Sequence, residues 1–197
     1  NTMSEIVVQK FGGTSVGTVD RIDSVAEIIK NASKSNKIVV VVSAMGGETN
    51  RLVDLAKAFG DDPDKREFDA LVSTGETVSS ALLTMALHSK GVKAKSFSAS
   101  QISMRTTSSY SKAKILDVDA KKILDVVEND TIPIITGFQG VTEGGDVTTL
   151  GRGGSDTTAV AIAAQIAATR CDIFTDVDGI FTTCLLYTSD AADDTRS

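Results

Sequence analysis

The segment KIVVVVSA, residues 37–44, is a run of β-branched residues with almost no interruption. A strand with one face in water alternates apolar and polar residues, whereas a strand buried on both faces of a parallel sheet is apolar throughout. Residues 37–44 are therefore predicted to form such a buried strand. Parallel strands are joined by crossover connections, which are usually helices.

The rest of the chain repeats one order of elements: a strand, a glycine-rich turn and a helix. Further strands are predicted at residues 5–10, 92–99, 131–137 and 171–176. The spacing of Ile22, Val25, Ile28 and Ile29 predicts a first helix that ends at about residue 33. A second helix is predicted to begin after an N-cap at Thr49 or Asn50. Further helices are predicted at 66–73, 77–89, 117–130 and 156–168. The segment STGE separates the helical patterns at 66–73 and 77–89. The segment EGGD indicates a β-hairpin, and residues 100–114 fit neither a helical nor a strand pattern. This order predicts a single-domain, layered α/β fold with a mostly parallel sheet.

The composition argues against several classes of function. The 197 residues carry a net charge of −6 and no basic stripe, which argues against nucleic-acid binding. No apolar run approaches about 20 residues, so no membrane-spanning segment is predicted. The N-terminus has no basic-then-apolar signal segment, so a cytoplasmic protein is expected.

Cysteine and histidine are too few for the common catalytic and metal sites. Cys171 and Cys184 have no CxxC spacing and no nearby histidine, so reduced thiols and no metal site built by the protein are expected. His88 is the only histidine and falls at the end of a helical pattern, which argues against Ser-His-Asp chemistry.

The glycine-rich turns follow strand ends, where ligands bind in parallel sheets. In QKFGGTSVG, Lys10 offers a point charge, and Gly12 and Gly13 let backbone N–H groups approach a phosphate closely. The spacing is neither that of a P-loop nor GxGxxG, and a surface lysine before a tight turn explains this motif equally well.

Three further turns supply candidate residues: Ser43 and Thr49 in SAMGGETN, Glu76 in VSTGETV, and Arg152, Ser155 and Asp156 in LGRGGSDTT. A helix-capping role also explains Glu76, and a solvated glycine loop also explains LGRGGSDTT. Several such loops at strand ends favour a shared site over coincidence.

Six segments carry a family resemblance: VQKFGGTSVG, VVVVSAMGGETNRLVDLA, LVSTGETVSSALL, ITGFQGV, TTLGRGGSDTTAVAIAA and IFTDVDGIFTT. In order and spacing they resemble the catalytic domain of aspartokinases, within the wider amino acid kinase superfamily. The resemblance covers about residues 4–183 and implies a three-layer αβα sandwich with a mostly parallel central sheet. It also implies transfer of the γ-phosphoryl group of ATP to the side-chain carboxylate of L-aspartate, which opens the pathway to lysine, threonine, methionine and diaminopimelate.

The resemblance implies roles for individual residues. Lys10 would stabilise charge on the transferring phosphoryl group, with the amides of Gly12 and Gly13 beside it. Asp156 would be the organising acid, which holds the lysine or the Mg²⁺-bearing phosphates and takes no proton from the substrate.

The remaining implied roles concern the amino acid and the nucleotide. Glu76 would pair with the α-ammonium of the substrate and Arg152 with its α-carboxylate, a bidentate contact suited to guanidinium. Ser43, Thr49 and Ser155 would add hydroxyl or amide contacts. The nucleotide contacts would come from Thr175, Asp176 and Phe181.

The chemistry agrees with this resemblance. A carboxylate with a pKa near ~4 is already ionised at neutral pH, so no general base is needed. The difficulty is repulsion between two anions, and phosphoryl transfer rests mainly on positioning and charge stabilisation. The implied cofactors are ATP and Mg²⁺, and the implied partners are L-aspartate and Mg-ATP, in a homo-oligomeric parent enzyme.

The sequence departs from the family after Thr183. The segment CLLYTSDAADDTRS replaces the usual continuation and looks like a translated sequencing adapter. Residues 3–183 are therefore expected to be a partial catalytic domain, incomplete at its C-terminus, and residues 184–197 an artefactual tail. The regulatory ACT domains of the family are expected to be absent.

Other functions stay open at this point. A sibling kinase could act on another carboxylate, such as N-acetylglutamate, although Glu76 favours a substrate with a free amine. An inactive fragment or a small-ligand binding module is the alternative of another class. A dinucleotide-dependent oxidoreductase is disfavoured because GxGxxG with a downstream acid is missing.

Overall fold

The structure, a computed structural model, describes residues 5–151 and 153–175 and the backbone of residues 181–184. The helices are α1 (Val19–Ala32), α2 (Glu48–Ala56), α3 (Lys65–Val72), α4 (Thr74–Ser89), α5 (Ala120–Glu128) and α6 (Gly154–Gln165). The strands are β1 (Ile6–Phe11), β2 (Lys37–Val42), β3 (Ala94–Phe97), β4 (Arg105–Thr106), β5 (Ile115–Asp117), β6 (Ile132–Thr136), β7 (Gln139–Val141), β8 (Val147–Thr149), β9 (Arg170–Phe174) and β10 (Phe181–Cys184).

The main sheet has the strand order β10-β9-β1-β2-β6-β3. Strands β9, β1, β2, β6 and β3 run parallel, and β10 pairs antiparallel with β9. The valine-rich run is β2, which lies between β1 and β6 and is buried from Ile38 to Val42. The predicted mostly parallel sheet with a strand covered on both faces is therefore confirmed.

Helices cover both faces because successive side chains of a strand point to opposite sides of the sheet. Val40 and Val42 of β2 pack with buried residues of α1 and α4, whereas Val39 and Val41 pack with buried residues of α5 and α6. The small side chains of the alanine-rich α6, such as Ala159, are buried in this second core. The expected three-layer αβα sandwich is confirmed.

A smaller sheet has the strand order β5-β4-β7-β8. Strands β7 and β8 form an antiparallel hairpin in which Val141 pairs with Val147, so the hairpin predicted around EGGD is confirmed. The segment 100–114, which fits no sequence pattern, includes β4. A strand as short as Arg105–Thr106 cannot show a period of two residues, which explains why no strand was predicted there.

Asp69 of α3 fastens this helix to the smaller sheet. Its carboxylate is fully buried and accepts hydrogen bonds from the backbone N–H and the hydroxyl of Ser111, both at 2.8 Å. It also accepts from the N–H of Thr149 at 2.8 Å and from its hydroxyl at 3.0 Å. These donors replace the water that a buried carboxylate loses, so Asp69 has a structural role.

Replacing Asp69 by Asn should destabilise the fold by about 2–4 kcal/mol. The amide keeps only one acceptor oxygen, so one pair of donors, either the two backbone N–H groups or the two hydroxyls of Ser111 and Thr149, loses its acceptor. Urea denaturation followed by circular dichroism measures the change. Asp125→Asn, on the exposed face of α5, is the matched control, and an equal small loss for both variants would contradict this role.

The start of α2 differs from the prediction. Thr49 and Asn50 lie inside the helix, and the N-cap is Gly47, which has a φ of 84° and makes no side-chain cap hydrogen bond. The prediction of a Thr49 or Asn50 cap is wrong because a left-handed glycine turns the chain into the helix one residue before Glu48.

The two helices on either side of STGE are nearly continuous. The patterns at 66–73 and 77–89 correspond to α3 and α4, but Thr74, Gly75 and Glu76 belong to the first turn of α4. Ser73, with helical φ and ψ of −64° and −18°, is both the C-cap of α3 and the N-cap of α4. The predicted interruption is thus reduced to a single residue.

The helical stretch Lys65–Ser89 is long and apolar enough to cross a membrane by length and composition alone, which the sequence analysis did not anticipate. Half of its most apolar window is buried inside the fold. The buried residues of α4 include Leu83 and Leu87, which belong to the core on the α1 side of the sheet. A helix that is buried in the core of a folded domain meets the same criteria of length and apolar composition.

Candidate functional site

A cavity of about 360 Å³ opens at the carboxyl ends of β1, β2 and β6. Its walls are formed by the segments that follow these strands and by the first turns of three helices, α2, α4 and α6. The lining residues are Lys10, Gly13, Ser43, Ala44, Met45, Gly46, Gly47, Thr49, Glu76, Phe138, Gly153, Gly154, Ser155 and Asp156. Crevices at the carboxyl ends of parallel strands are where ligands bind in sheets of this type.

Lys10 and Asp156 form an ion pair in this cavity. Lys10 lies two residues after Val8, which packs on the α6 side of the sheet, so its side chain points to the same side. Asp156 lies in the first turn of α6, and its Oδ1 is 2.8 Å from the Lys10 ammonium nitrogen. The Lys10 side chain is 12% exposed and that of Asp156 is 50% exposed. A cation is thus held at the cavity wall with only limited access to water.

The N-termini of α2, α4 and α6 all face the cavity. Their N-cap residues Gly47, Ser73 and Gly153 make no side-chain cap hydrogen bond. The first N–H groups of a helix have no partner within the helix, and the helix dipole makes this end positive. Uncapped N-termini that meet at one cavity are suited to binding an anionic ligand.

Glu76 is the second charged feature of the cavity and lies deeper than Asp156. It is 3% exposed, and the N–H groups of Ala44 and of Glu76 itself hydrogen bond to its carboxylate. Its Oε2 is buried and has no hydrogen-bond partner in the described part of the chain. Burial raises the pKa of Glu76 to about 8, and the two backbone hydrogen bonds only partly oppose this effect. A buried acid with an unused oxygen is suited to pairing with a cationic group of a ligand.

The structure brings most of the predicted substrate residues together. Ser43, Thr49 and Ser155 line the same cavity as Glu76. Arg152 lies outside the described residues, so its predicted contact with the α-carboxylate has no structural counterpart here.

The predicted nucleotide residues are less completely placed. Gly13 lines the cavity, but Gly12 does not, and its N–H donates to the carbonyl oxygen of Phe174 at 3.3 Å. The predicted amide contact from Gly12 to a phosphate stays a prediction, and in this structure the same N–H donates to a carbonyl within the fold. Thr175 follows β9 outside the cavity lining, Asp176 lies outside the described residues, and only the backbone of Phe181 is described.

Sequence reasoning missed several residues of the wall, of which Phe138 is the largest. Phe138 lies two residues after the end of β6 and has a φ of 69°, in the left-handed region that residues other than glycine rarely adopt. The segment ITGFQGV follows a predicted strand, so its position could have revealed this residue. Its lack of a polar group is the reason that it was not considered.

Residues 5–184 match the sequence profile described as the Amino acid kinase family. The chain belongs to this family.

Individual relatives of this amino acid kinase share about half of its residues. Over 179 residues it is 55% identical to the aspartate kinase Ask_LysC of Stutzerimonas stutzeri, covering 90% of this chain and 43% of that protein. Over 187 residues it is 54% identical to the aspartokinase of Geobacillus stearothermophilus, covering 94% of this chain and 46% of that protein. The chain thus spans less than half the length of these curated relatives.

Solved structures show the same fold. E. coli aspartokinase III in complex with aspartate and ADP matches this amino acid kinase with a TM-score of 0.78 and 29% identity, over 87% of this chain and 49% of that chain. Aspartate kinase from Synechocystis matches with a TM-score of 0.73 and 45% identity, over 86% of this chain and 28% of that chain. Isopentenyl phosphate kinase, at 16% identity and a TM-score of 0.68, shares the fold alone.

Proposed function

We propose that this chain is the catalytic part of an aspartate kinase, which transfers the γ-phosphoryl group of ATP to the side-chain carboxylate of L-aspartate. The observation that carries the proposal is the pairing of charges in one cavity: the Lys10 ammonium at one wall and the buried Glu76 carboxylate at another. An amino acid with a free amine can use Glu76, while a phosphoryl group can use Lys10. Relatives that are named aspartate kinase or aspartokinase support this assignment.

The proposed reaction needs no general base. An oxygen of the aspartate side chain forms a bond to the γ-phosphorus, and the bond from that phosphorus to the bridging oxygen of ADP breaks. The attacking carboxylate is already ionised at neutral pH. His88, the only histidine of the sequence, lies near the C-terminal end of α4, opposite to the end that faces the cavity. Catalysis therefore rests on positioning and charge stabilisation.

Each charged residue has a separate task in this proposal. The Lys10 ammonium stabilises negative charge that spreads over the oxygens of the transferring phosphoryl group, and Asp156 holds the ammonium at that point. Glu76 binds the α-ammonium, and Arg152 the α-carboxylate of L-aspartate. Hydroxyl and amide groups orient the substrate further, at positions Ser43, Thr49 and Ser155.

ATP and Mg²⁺ are the proposed cofactors. Among the described residues that line the cavity, the only carboxylates are those of Glu76 and Asp156, and the described part of the chain contains no group of three potential metal ligands. Mg²⁺ is commonly bound by one or two carboxylates together with substrate phosphates, so this donor set fits an ion that arrives with ATP. The half-exposed Asp156 would be its protein ligand, and the ion would neutralise phosphate charge.

Residues 3–183 are proposed to be a partial amino acid kinase domain, and residues 184–197 to lie outside it. The family match at residues 5–184 supports these limits. Thr175, Asp176 and Phe181 are proposed nucleotide contacts, and regulatory ACT domains would belong to the parent protein outside this segment. A cytoplasmic, homo-oligomeric parent enzyme is part of the proposal.

A coupled assay of ADP release in the full-length parent protein tests the function. L-aspartate should support turnover, whereas N-acetyl-L-glutamate should not, since its acetylated amine carries no charge for Glu76 to bind. L-glutamate, which keeps the free amine but has one more methylene group in its side chain, tests whether the site selects for side-chain length. Turnover with N-acetyl-L-glutamate alone would instead establish a sibling kinase, and no turnover with any of the three would favour a binding module.

A further inference from the structure

Gln139, the first residue of β7, makes four side-chain hydrogen bonds, of which three are buried and the one to Thr77 is partly buried. It is 5% exposed, and its Nε2 donates to the carbonyl oxygen of Ser73 and, at 3.1 Å, to the hydroxyl of Thr77. Its Oε1 accepts from the hydroxyl of Thr136 at 2.8 Å and from the N–H of Ala99 at 3.5 Å. One side chain therefore connects the end of the main sheet to the beginning of α4.

The chemistry of these partners fixes the orientation of the Gln139 amide. The carbonyl of Ser73 can only accept a hydrogen bond, so the NH₂ group must face it. The N–H of Ala99 can only donate, so the amide oxygen must face that side. A carboxylate at position 139 would place an acceptor against the Ser73 carbonyl, and an apolar side chain would leave that buried carbonyl without this donor.

The first turn of α4 depends on contacts from outside the helix. Ser73, its N-cap, provides no side-chain cap, and the turn packs tightly on the segment after β2. A Cβ on Gly75 would lie 2.8 Å from the Cβ of Ala44, so only glycine allows this approach. The N–H of Ala44 is one of the donors to the Glu76 carboxylate. A small displacement of the turn would therefore alter the contacts of Glu76.

We infer that Gln139 is a positioning residue for Glu76. By holding Ser73 and Thr77 on either side of Glu76, it fixes the turn from which the carboxylate projects into the cavity. Gln139 is not itself among the cavity-lining residues, so it acts through α4 and does not touch the substrate. This inference rests on the proposed function, because it concerns the group that would bind the ammonium of L-aspartate.

Gln139→Met tests the inference in the full-length protein, because methionine has a similar size and no amide. The expected result is a loss of about tenfold or more in kcat/KM for L-aspartate, with KM for ATP changed by less than about twofold. The acidic limb of the pH profile of kcat/KM for L-aspartate should move to higher pH. Displacing Glu76 from the Ala44 N–H removes a contact that favours the ionised carboxylate.

A second pair of variants keeps the test decisive if Gln139→Met does not fold. Thr77→Val removes one acceptor of the Gln139 amide, whereas Thr77→Ser retains the hydroxyl. Thr77→Val should reproduce the aspartate defect in weaker form, and Thr77→Ser should leave kcat/KM within about twofold of the wild type. Equal values for Val and Ser would overturn the inference.

A matched control separates positioning from general destabilisation of α4. Lys90, which caps this helix at its other end, pairs with Asp23 at 3.0 Å and Glu27 at 3.1 Å. It lies about 20 Å along the helix from the first turn. Lys90→Met should lower the melting temperature without a selective aspartate defect. An equal aspartate defect in Lys90→Met would show that loss of stability alone explains the result.

A double-mutant cycle with Glu76→Gln completes the test. If Gln139 acts through Glu76, Gln139→Met should cause little further loss of kcat/KM for L-aspartate in the Glu76→Gln background. Fully additive losses would overturn the inference while leaving the proposed function intact. If Glu76→Gln alone does not change kcat/KM for L-aspartate, the assignment of Glu76 in the proposed function fails.

Discussion

Replacing Lys10 by methionine should lower kcat about 10²- to 10³-fold, which corresponds to about 3–4 kcal/mol of lost transition-state stabilisation. Methionine keeps much of the length and apolar surface of the side chain but removes the ammonium that pairs with Asp156 at 2.8 Å. The charge that develops on the phosphoryl oxygens would then lose the cation that Lys10 supplies, whose side chain is only 12% exposed. Steady-state kinetics of the full-length protein, with both substrates varied, measures the effect.

Asp156→Ala should lower kcat by a comparable factor of about 10² or more, because Lys10 loses the carboxylate that holds its ammonium group in place.

The loss of activity should not come from unfolding. Asp156 is half exposed, and an ion pair with one exposed partner contributes at most about 1 kcal/mol to stability. Lys37→Met is a matched control, because Lys37 begins the neighbouring strand β2. It lies about 13 Å along the strand from the position opposite Lys10, at the amino end of the parallel strands. A folded Lys10→Met protein with wild-type turnover would refute the proposed role of Lys10.

Replacing Glu76 by glutamine should lower kcat/KM for L-aspartate about 10²-fold or more and leave KM for ATP nearly unchanged. Glutamine has the same shape but presents no negative charge to the α-ammonium. Glu48→Gln is the matched control, because Glu48 also lies in the first turn of a helix at this cavity, but its carboxylate pairs with Arg51 and does not line the cavity. An equal loss in Glu48→Gln would contradict a specific role for Glu76.

The raised pKa of Glu76 predicts the pH dependence of substrate binding. With a pKa of about 8 in the free protein, Glu76 is mostly protonated at neutral pH and must lose its proton to pair with an ammonium group. In the wild type, kcat/KM for L-aspartate should therefore rise about tenfold per pH unit between pH 6 and about 8 and then level off. Glu76→Gln should lack this rise, and an unchanged profile in the variant would assign the titration to another group.

The same group should make the fold less stable at alkaline pH. The folded state holds a proton on Glu76 up to about pH 8, while an unfolded chain releases it near the ordinary glutamate pKa of 4.5. The free energy of unfolding therefore falls as the pH rises between these values. Above pH 8 the buried charge persists, and Glu76→Gln should be more stable than the wild type by about 1–3 kcal/mol. At pH 4 the two proteins should be equally stable. Thermal denaturation at both pH values measures the difference, and equal melting temperatures at pH 9 would show that Glu76 is not effectively buried.

Much of the fold was predictable because its signals are local. The valine run predicted a strand covered on both faces, and the period of the apolar residues located α1 and α5 to within a few residues. Boundaries were less predictable where tertiary contacts decide them. Gly47 begins α2 through a left-handed turn, and Ser73 joins α3 and α4 without a loop, although the sequence pattern suggested a Thr49 or Asn50 cap and a longer interruption.

The site was predictable in part for a related reason. Lys10 lies near the end of a strand, Ser43 directly follows a strand, and Asp156 lies in the first turn of a helix. Such positions can be identified from sequence. Gln139 and Asp69 gave no such signal, since their roles come from partners far away in the chain. Gln139, for example, bonds to Ser73, 66 positions earlier. Phe138 follows a predicted strand but has no polar group to mark it as a site residue.

The sequence by itself determined that the glycine-rich turns would gather at one edge of a parallel sheet, because strand direction and side-chain alternation follow from residues that are neighbours in the chain. The tertiary structure alone decided that Glu76 lies buried beside Ala44 with one oxygen unused, and that Lys10 and Asp156 meet at 2.8 Å. Burial, and with it the pKa of an acid, depends on which distant segments pack around a group, and neither composition nor periodicity contains that information.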